Sequence, residues 1–196
     1  MKTRDSGMPD EDSWSSFFDP VQVLRKLRFP NEGSLAVEFG CGYGTFTVPA
    51  ATMFRGKLYT VDIESEMVQL TASKAAAAGL ANVEAAVGDF VTDGTGRADA
   101  SADYVMLFNI LHAEEPQTLL REAWRVLRVG GLLGIMHWNY DPTTPRGPSM
   151  AIRPKPEQCA AWAIAAGFQQ VSERIDLPPY HYGFVFARTD QFGGLA

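Results

Sequence analysis

The sequence of this 196-residue chain predicts an α/β fold of three layers, with a seven-stranded, mostly parallel β-sheet and an antiparallel hairpin at its C-terminal end. Three observations lead to this prediction. From residue 34 onward, short apolar runs alternate with segments of helical periodicity, which is typical of βαβ units around a parallel sheet. A glycine-rich turn follows the first apolar run. Two apolar runs also succeed each other near the end of the chain without a helix between them, which indicates an antiparallel pair.

The chain is long enough for one domain with a sizeable core. Because 46% of its residues are apolar, we expect a single core and assign it to residues 20–196. Residues 1–19 are rich in serine and acidic residues, which predicts a flexible N-terminal segment. Trp14, Phe17 and Phe18 leave open the alternative that this segment folds back as a lid.

Composition restricts the partners that we expect. A net charge of −6 argues against binding to nucleic acid or to an anionic membrane, since both attract basic surfaces. No apolar run reaches the length of a membrane span, and the N-terminal residues lack the apolar stretch of a secretory signal. Cys41 and Cys159 are too few for a disulfide framework. We therefore expect a cytoplasmic protein and leave a homodimer open.

The first half of the domain predicts one entry helix and then an alternation of strands and helices. The entry helix is amphipathic and ends before Pro30. Ser65 as an N-cap and Gly79 beyond the C-terminus delimit a long alanine-rich helix. The predicted elements are, in order, a helix over 21–28, a strand over 35–39, a helix over 45–54, a strand over 57–61, a helix over 65–78 and a strand over 83–87.

The second half contains the clearest helical pattern in the chain. Apolar residues recur at spacings of three and four from Leu119 to Leu127, after a proline suited to a first helical turn. We expect Gly130-Gly131 to end this helix. The other predicted elements are strands over 104–108 and 132–138, a proline-rich loop over 139–154, a helix over 156–166, and terminal β-runs over 168–175 and 182–187.

The glycine-rich turn predicts a ligand that approaches the backbone closely. Gly40, Gly42 and Gly44 stand between a strand and a helix, where ligands bind in open α/β sheets. The dinucleotide fingerprint would need its third glycine at the position of Thr45, and the Gly-Lys-Ser/Thr run of a phosphate-binding loop is missing. The spacing therefore disfavours a pyrophosphate cofactor.

The run from Val37 to Gly44 resembles the first motif of the class I S-adenosylmethionine-dependent methyltransferases of the small-molecule type, in which an acid precedes Gly-x-Gly-x-Gly. Four further motifs follow in the same order as in the family: Asp62, Gly88-Asp89-Phe90, Asn109, and the helix with Gly-Gly over 120–131. The resemblance covers about residues 21–188 and implies a Rossmann-like fold with S-adenosyl-L-methionine as cofactor. Glu38 and Val129 depart from the usual Asp and Pro.

The resemblance and the chemistry of the cofactor assign roles to these residues. Glu38 would face the ammonium group, the glycine turn the carboxylate, and Asp62 the ribose hydroxyls. Asp89 and the backbone N–H of Phe90 would read the adenine. The complete predicted cofactor-binding set is Glu38, Gly40, Cys41, Gly42, Gly44, Asp62, Ile63, Met67, Gly88, Asp89, Phe90 and Asn109.

The reaction implied by the resemblance is an in-line transfer of a methyl group to an unidentified small-molecule acceptor. His112 is a candidate general base, although it could equally order its own loop, and Asn109 is the second catalytic candidate. Tyr140, Arg146 and Arg153 follow strand five and are candidates for gripping an acidic or aromatic acceptor, or for pairing with surface acids.

The three histidines, at 112, 137 and 181, have no metal-ligand spacing, so we predict no metal. Two other functions stay open at this point. One is a nicotinamide-dependent oxidoreductase that uses the same turn, which Thr45 disfavours. The other is a non-catalytic partner subunit that retains the cofactor fold.

Overall fold

The computed structural model describes residues 9–190, which form six helices and eight strands. No helix among these residues is both long and apolar enough to cross a membrane. The elements are α1 (Glu11–Ser15), α2 (Pro20–Lys26), β1 (Leu35–Phe39), α3 (Thr47–Met53), β2 (Lys57–Asp62), α4 (Ser65–Ala77), β3 (Val83–Val87), β4 (Ala102–Phe108), α5 (Pro116–Val126), β5 (Leu127–Trp138), α6 (Pro156–Ala165), β6 (Phe168–Gln170), β7 (Ile175–Leu177) and β8 (His181–Arg188).

The strands form one sheet in the order β3-β2-β1-β4-β5-β8-β6, with β7 also paired to β8. The first five strands are parallel to their neighbours, and β8 is antiparallel to β5. Helices α2 and α3 contribute to the core on one face, whereas α5 and α6 pack on the other. The predicted three-layer, Rossmann-like α/β fold with a mostly parallel sheet is therefore confirmed.

The C-terminal hairpin contains one strand more than we predicted. The β-run expected over 168–175 is divided into β6 and β7, and both pair with β8. At the break, the Val171 N–H still donates to the Val185 carbonyl, but the Val185 N–H donates to the Ser172 side-chain hydroxyl, 2.8 Å away. The hydroxyl takes the place of a strand carbonyl, and the ladder resumes only at Ile175.

The boundary between α5 and β5 also differs from the prediction. The helix ends at Val126, and β5 begins at once with Leu127, so Gly130-Gly131 lies inside a strand rather than at a helix end. The register between β4 and β5 shifts in this region. A Cβ at Gly131 would lie 2.9 Å from the Arg128 carbonyl oxygen and 3.1 Å from the Ala102 carbonyl oxygen, so close backbone on both sides accounts for glycine there.

Residues 9–19 lie against the domain, as in the folded-back alternative. The Phe17 side chain is buried and its ring centroid lies 5.3 Å from that of Trp138. The Tyr43 hydroxyl donates to the Pro9 carbonyl at 2.9 Å. Lys74 forms an ion pair with Glu11 and donates to the Tyr43 carbonyl. The flexibility of the N-terminal segment stays a prediction, and residues 1–8 lie outside the described residues.

Candidate functional site

A cavity of about 200 Å³ opens at the carboxyl ends of the parallel strands. Because parallel strands end at the same edge of a sheet, the segments that follow β1, β2, β3 and β4 converge there. Most of the site residues predicted from the sequence line this cavity: Glu38, Gly40, Cys41, Gly42, Asp62, Ile63, Met67, Asp89, Phe90, Asn109 and His112.

The glycine turn bends around backbone angles that favour glycine. The φ angles of Gly40, Gly42 and Gly44 are 80°, 49° and 76°. Gly44 does not line the cavity, and a Cβ there would lie 3.1 Å from the Thr71 hydroxyl, which itself donates to the Gly42 carbonyl. Gly44 therefore lets α4 approach the turn, and it supports the site from behind.

Gly88 has a similar supporting position. It does not line the cavity, and a Cβ there would lie 3.1 Å from a methyl group of Val61. The backbone N–H of Gly88 donates to the Asp62 carbonyl at 2.9 Å. Gly88 thus allows the turn after β3 to lie close to the end of β2, and it brings Asp89 to the cavity wall.

Glu38 places a carboxyl group in the interior at the base of the glycine turn. Its side chain is 3% exposed, and it accepts a hydrogen bond from the Thr47 hydroxyl. Burial raises the pKa of this carboxyl from 4.5 to about 8, although hydrogen bonds from Thr47 and Thr60 oppose the shift. In the protein without ligand the group is therefore mostly neutral at about pH 7, and a bound cation would favour its ionised form.

Asp62 connects the end of β2 to the glycine turn. One carboxylate oxygen accepts from the Gly42 N–H at 3.0 Å, and the other accepts from the Glu64 N–H at 3.0 Å. Each carboxylate oxygen has two lone pairs, so each retains one for a ligand. A carboxylate fixed in this way suits a pair of neighbouring hydroxyl groups.

The turn after β3 forms the opposite end of the cavity. One oxygen of Asp89 accepts from the backbone N–H groups of Val91 and Thr92 at 3.1 and 3.3 Å. The Phe90 ring packs against Phe39, with ring centroids 5.4 Å apart. Together with Met67, these side chains give an apolar wall beside a hydrogen-bond acceptor, which is what a planar heteroaromatic ring with an amino group requires.

Asn109 offers a buried amide that has no partner among residues 9–190. Its side chain is 8% exposed, and neither its oxygen nor its nitrogen makes a hydrogen bond within this part of the chain. Its φ angle of 57° lies in the left-handed region, which asparagine tolerates better than most residues. An unsatisfied buried polar group costs about 1–3 kcal/mol, so this amide fits a ligand that supplies the missing partners.

His112 lines the cavity close to a second buried histidine. It is 6% exposed, and its ring centroid lies 5.6 Å from that of His137. Burial lowers the pKa of His137 well below 6.5, and the neighbouring His112 adds to this effect. Among residues 9–190, no group of three or more histidine, cysteine, aspartate or glutamate side chains is arranged to hold a metal ion.

The structure gives Arg153 a role other than substrate binding. The side chain is buried, and its guanidinium makes six hydrogen bonds within its own loop, to the carbonyls of residues 139, 141, 146 and 148 and to the Thr144 hydroxyl. An arginine has five N–H donors, so none remains for an acceptor molecule. Arg153 therefore organises the loop.

Tyr140 and Arg146 also lie away from the cavity. Tyr140 is 43% exposed and borders a separate polar groove, with the Lys155 ammonium 5.2 Å from its ring centroid. Arg146 is exposed and does not line the cavity. The predicted substrate-binding loop is thus not brought to the predicted cofactor site.

Sequence reasoning missed several residues of the cavity wall. Trp14, Phe46 and Phe108 come from α1, the start of α3 and the end of β4. The sequence offered a signal only for Trp14, as an aromatic residue in an otherwise polar segment. Thr45, Glu64, Val91, Ile110, Ala113 and Leu119 complete the wall.

Comparisons with known proteins indicate the family to which this fold belongs. Residues 36–131 match the family model described as a methyltransferase domain. The chain is 29% identical over 113 residues to a demethylmenaquinone methyltransferase from Geobacillus stearothermophilus, and the match covers 56% of this chain and 47% of that protein. The chain spans about half the length of the curated relatives it matches, namely 45% and 47%.

Solved structures share the fold over nearly the whole chain. A SAM-dependent methyltransferase from Aquifex aeolicus has a TM-score of 0.78 and 24% identity, over 90% of this chain and 93% of that chain. The cyclase SpnF has a TM-score of 0.75 and 17% identity, over 95% of this chain and 84% of that chain. Fold and site together define a class I S-adenosylmethionine-dependent methyltransferase domain. The chain belongs to this family, and the prediction from the sequence is confirmed.

Proposed function

We propose that this protein binds S-adenosyl-L-methionine in the cavity and transfers its methyl group to a small-molecule acceptor. The observation that carries the proposal is the convergence of three acids, Glu38, Asp62 and Asp89, on one cavity at the ends of adjacent strands. Their order matches the order of the ammonium, ribose and adenine groups along the cofactor. The two free thiols, Cys41 and Cys159, support a reducing compartment, and we propose the cytoplasm.

Different residues of the cavity would bind different groups of the cofactor. Glu38, in its ionised form, would pair with the ammonium group, and the absence of side chains at Gly40 and Gly42 would leave room for the methionine carboxylate. Asp62 would accept from the ribose hydroxyls, and Asp89 from the adenine amino group. When bound, the cofactor supplies an electrophilic methyl group on a sulfonium centre.

Asn109 and His112 stand where the acceptor would meet the donor site. The Asn109 amide would orient a polar group of either ligand, because neither its oxygen nor its nitrogen has a partner in the described part of the chain. The His112 imidazole would take up a proton from an oxygen or nitrogen nucleophile, since a neutral imidazole has one ring nitrogen that accepts a proton. Enclosure by apolar side chains would exclude water from the nucleophile.

Calorimetric titration tests the cofactor. We expect binding of S-adenosyl-L-methionine and of its demethylated product, S-adenosylhomocysteine, and no binding of NAD. Binding of NAD without binding of either of the other two would refute the proposal and favour a nicotinamide-dependent oxidoreductase.

Transfer of labelled methyl groups over a panel of acceptors tests the reaction. The comparison with a cyclase makes this second test necessary, because the same fold occurs in a protein whose name indicates other chemistry. Turnover with one class of acceptor would support the proposal. Tight cofactor binding without turnover for any acceptor would instead favour a non-catalytic partner subunit.

A further inference from the structure

Part of the cavity wall is not used by the contacts assigned to the proposed cofactor at the ends of β1, β2 and β3. This part includes Trp14, Phe46, Phe108 and Asn109, and we call it the acceptor subsite. It lies toward β4, on the side where the glycine turn and Asn109 meet. The inference that follows rests on the proposed function, and it concerns the kind of molecule that this subsite accepts.

The walls of the acceptor subsite are aromatic. Phe46 and Phe108 pack edge to face with ring centroids 5.0 Å apart, and both are buried. Phe18 links this pair to Trp14, at 5.3 Å from Phe46 and 4.9 Å from Trp14. Rings fixed by such contacts present flat, rigid surfaces, which favour another planar ring over a flexible chain.

The charges around the cavity disfavour an acidic acceptor. Asp62, Glu64 and Asp89 are acids of the wall, whereas no lysine or arginine of residues 9–190 belongs to it. Arg153 was expected to bind an acidic acceptor, but all of its N–H donors form hydrogen bonds within its own loop. An anion would thus enter beside several negative charges in a poorly hydrated space, where repulsion is strong.

Asn109 gives the subsite its polar end. Within residues 9–190 its buried amide has no partner for its donor or for its acceptor, so it matches a group that both donates and accepts hydrogen bonds. A hydroxyl group and an uncharged amino group both meet that requirement. A carboxylate has no donor and would leave the amide oxygen unsatisfied.

We propose that the acceptor subsite takes a planar aromatic compound that carries a hydroxyl or amino group and no anionic group, with Trp14 as its outer wall. This excludes the acidic acceptor that a pair of loop arginines would suggest. Trp14 is half-exposed, unlike Phe46 and Phe108, so it is the wall residue that a substitution removes with the least effect on the core.

Two probes with the same ring system test the charge preference. Naphthol and naphthoate are titrated by calorimetry into protein saturated with S-adenosylhomocysteine. We expect naphthol to bind at least about tenfold more tightly than naphthoate. Equal or tighter binding of naphthoate would overturn the proposal. Failure of S-adenosylhomocysteine itself to bind would overturn the proposed function, and this is measured first and separately.

Two variants test the position of the subsite. Trp14→Ala should weaken naphthol binding at least about tenfold and leave S-adenosylhomocysteine affinity within about threefold. Tyr140→Ala is the matched control, because Tyr140 is an exposed aromatic residue beside the separate groove, and it should change neither affinity. Loss of naphthol binding in Tyr140→Ala, or unchanged binding in Trp14→Ala, would refute the assignment. Thermal unfolding of both variants checks that they are folded.

Discussion

Substitution of Glu38 by Gln should make the protein more stable and its cofactor affinity lower. The wild-type side chain is buried, and burial raises its pKa from 4.5 to about 8. Gln has nearly the same shape and can still accept the hydrogen bond from Thr47, but it carries no charge at any pH. The substitution therefore isolates the cost of ionising a carboxyl group in the interior.

The magnitude follows from the difference in pKa. Below pH 4.5 the carboxyl is protonated in both the folded and the unfolded chain. Between 4.5 and about 8 only the unfolded chain releases the proton, so the free energy of unfolding falls as the pH rises, by up to about 1.36 kcal/mol per unit. The total reaches about 5 kcal/mol at most. Glu38→Gln should not show this loss.

Denaturant unfolding of the two proteins over a series of pH values measures this difference. The stability of Glu38→Gln relative to the wild type should increase steadily from pH 4.5 to about 8 and then level off. Parallel stability curves for the two proteins would refute the reasoning, because they would show that Glu38 does not retain its proton in the folded protein.

Calorimetry completes the test on the side of function. If the ammonium group of the cofactor favours the ionised form of Glu38, binding at about pH 7 should release close to one proton from the wild type and none from Glu38→Gln. The loss of a charge-assisted hydrogen bond should weaken binding by about 1.5–3 kcal/mol. Proton release that is the same in both proteins would place the ammonium elsewhere.

Three further predictions concern other parts of the molecule. Asp62→Ala should weaken S-adenosyl-L-methionine and S-adenosylhomocysteine equally, by about tenfold or more, because both share the ribose; unchanged affinity in calorimetry would show that the ribose lies elsewhere. Arg153→Ala should lower the free energy of unfolding by at least about 2 kcal/mol, since several loop carbonyls lose their donor, while cofactor affinity stays the same. Denaturant unfolding measures this loss of stability. A loss of ligand affinity without a loss of stability would show that Arg153 binds substrate. His181→Phe should reduce acid sensitivity: burial lowers the pKa of His181 from 6.5 to about 3, so the wild type loses stability as the pH falls through that window. Equal acid unfolding profiles would contradict this.

The sequence predicted the strand-end residues of the site because their positions are tied to local signals. Glycines at 40, 42 and 44 and the acids at 38 and 62 stand directly beside apolar runs that could only be buried strands. Once the strands are parallel, their carboxyl ends meet at one edge, and the residues after them must be neighbours. The local sequence pattern and the parallel topology were therefore sufficient to predict the residues at the strand ends that line the cavity.

The acceptor side could not be predicted in the same way. Arg153 was predicted to bind the acceptor. A sequence does not show which carbonyls of a proline-rich loop lack donors, so it could not show that this guanidinium binds them. Trp14 is distant in sequence from the other cavity residues and reaches them through tertiary contacts, among them its own packing on Phe18 and the packing of Phe17 on Trp138. His137 and His112 meet across the face of the sheet, at a separation of 25 positions with no regular spacing. These contacts depend on tertiary packing, which leaves no periodicity in the chain.

The attachment of the N-terminal segment to Tyr43 has a consequence for kinetics. Tyr43 belongs to the glycine turn, and it holds Pro9, while Lys74 joins the Tyr43 carbonyl to Glu11. A donor bound on the glycine turn would stabilise the same contacts that keep Trp14 over the cavity. Steady-state kinetics should then show a compulsory order in which the methyl donor enters first and its product leaves last. Product inhibition by S-adenosylhomocysteine would be competitive toward the donor and noncompetitive toward the acceptor.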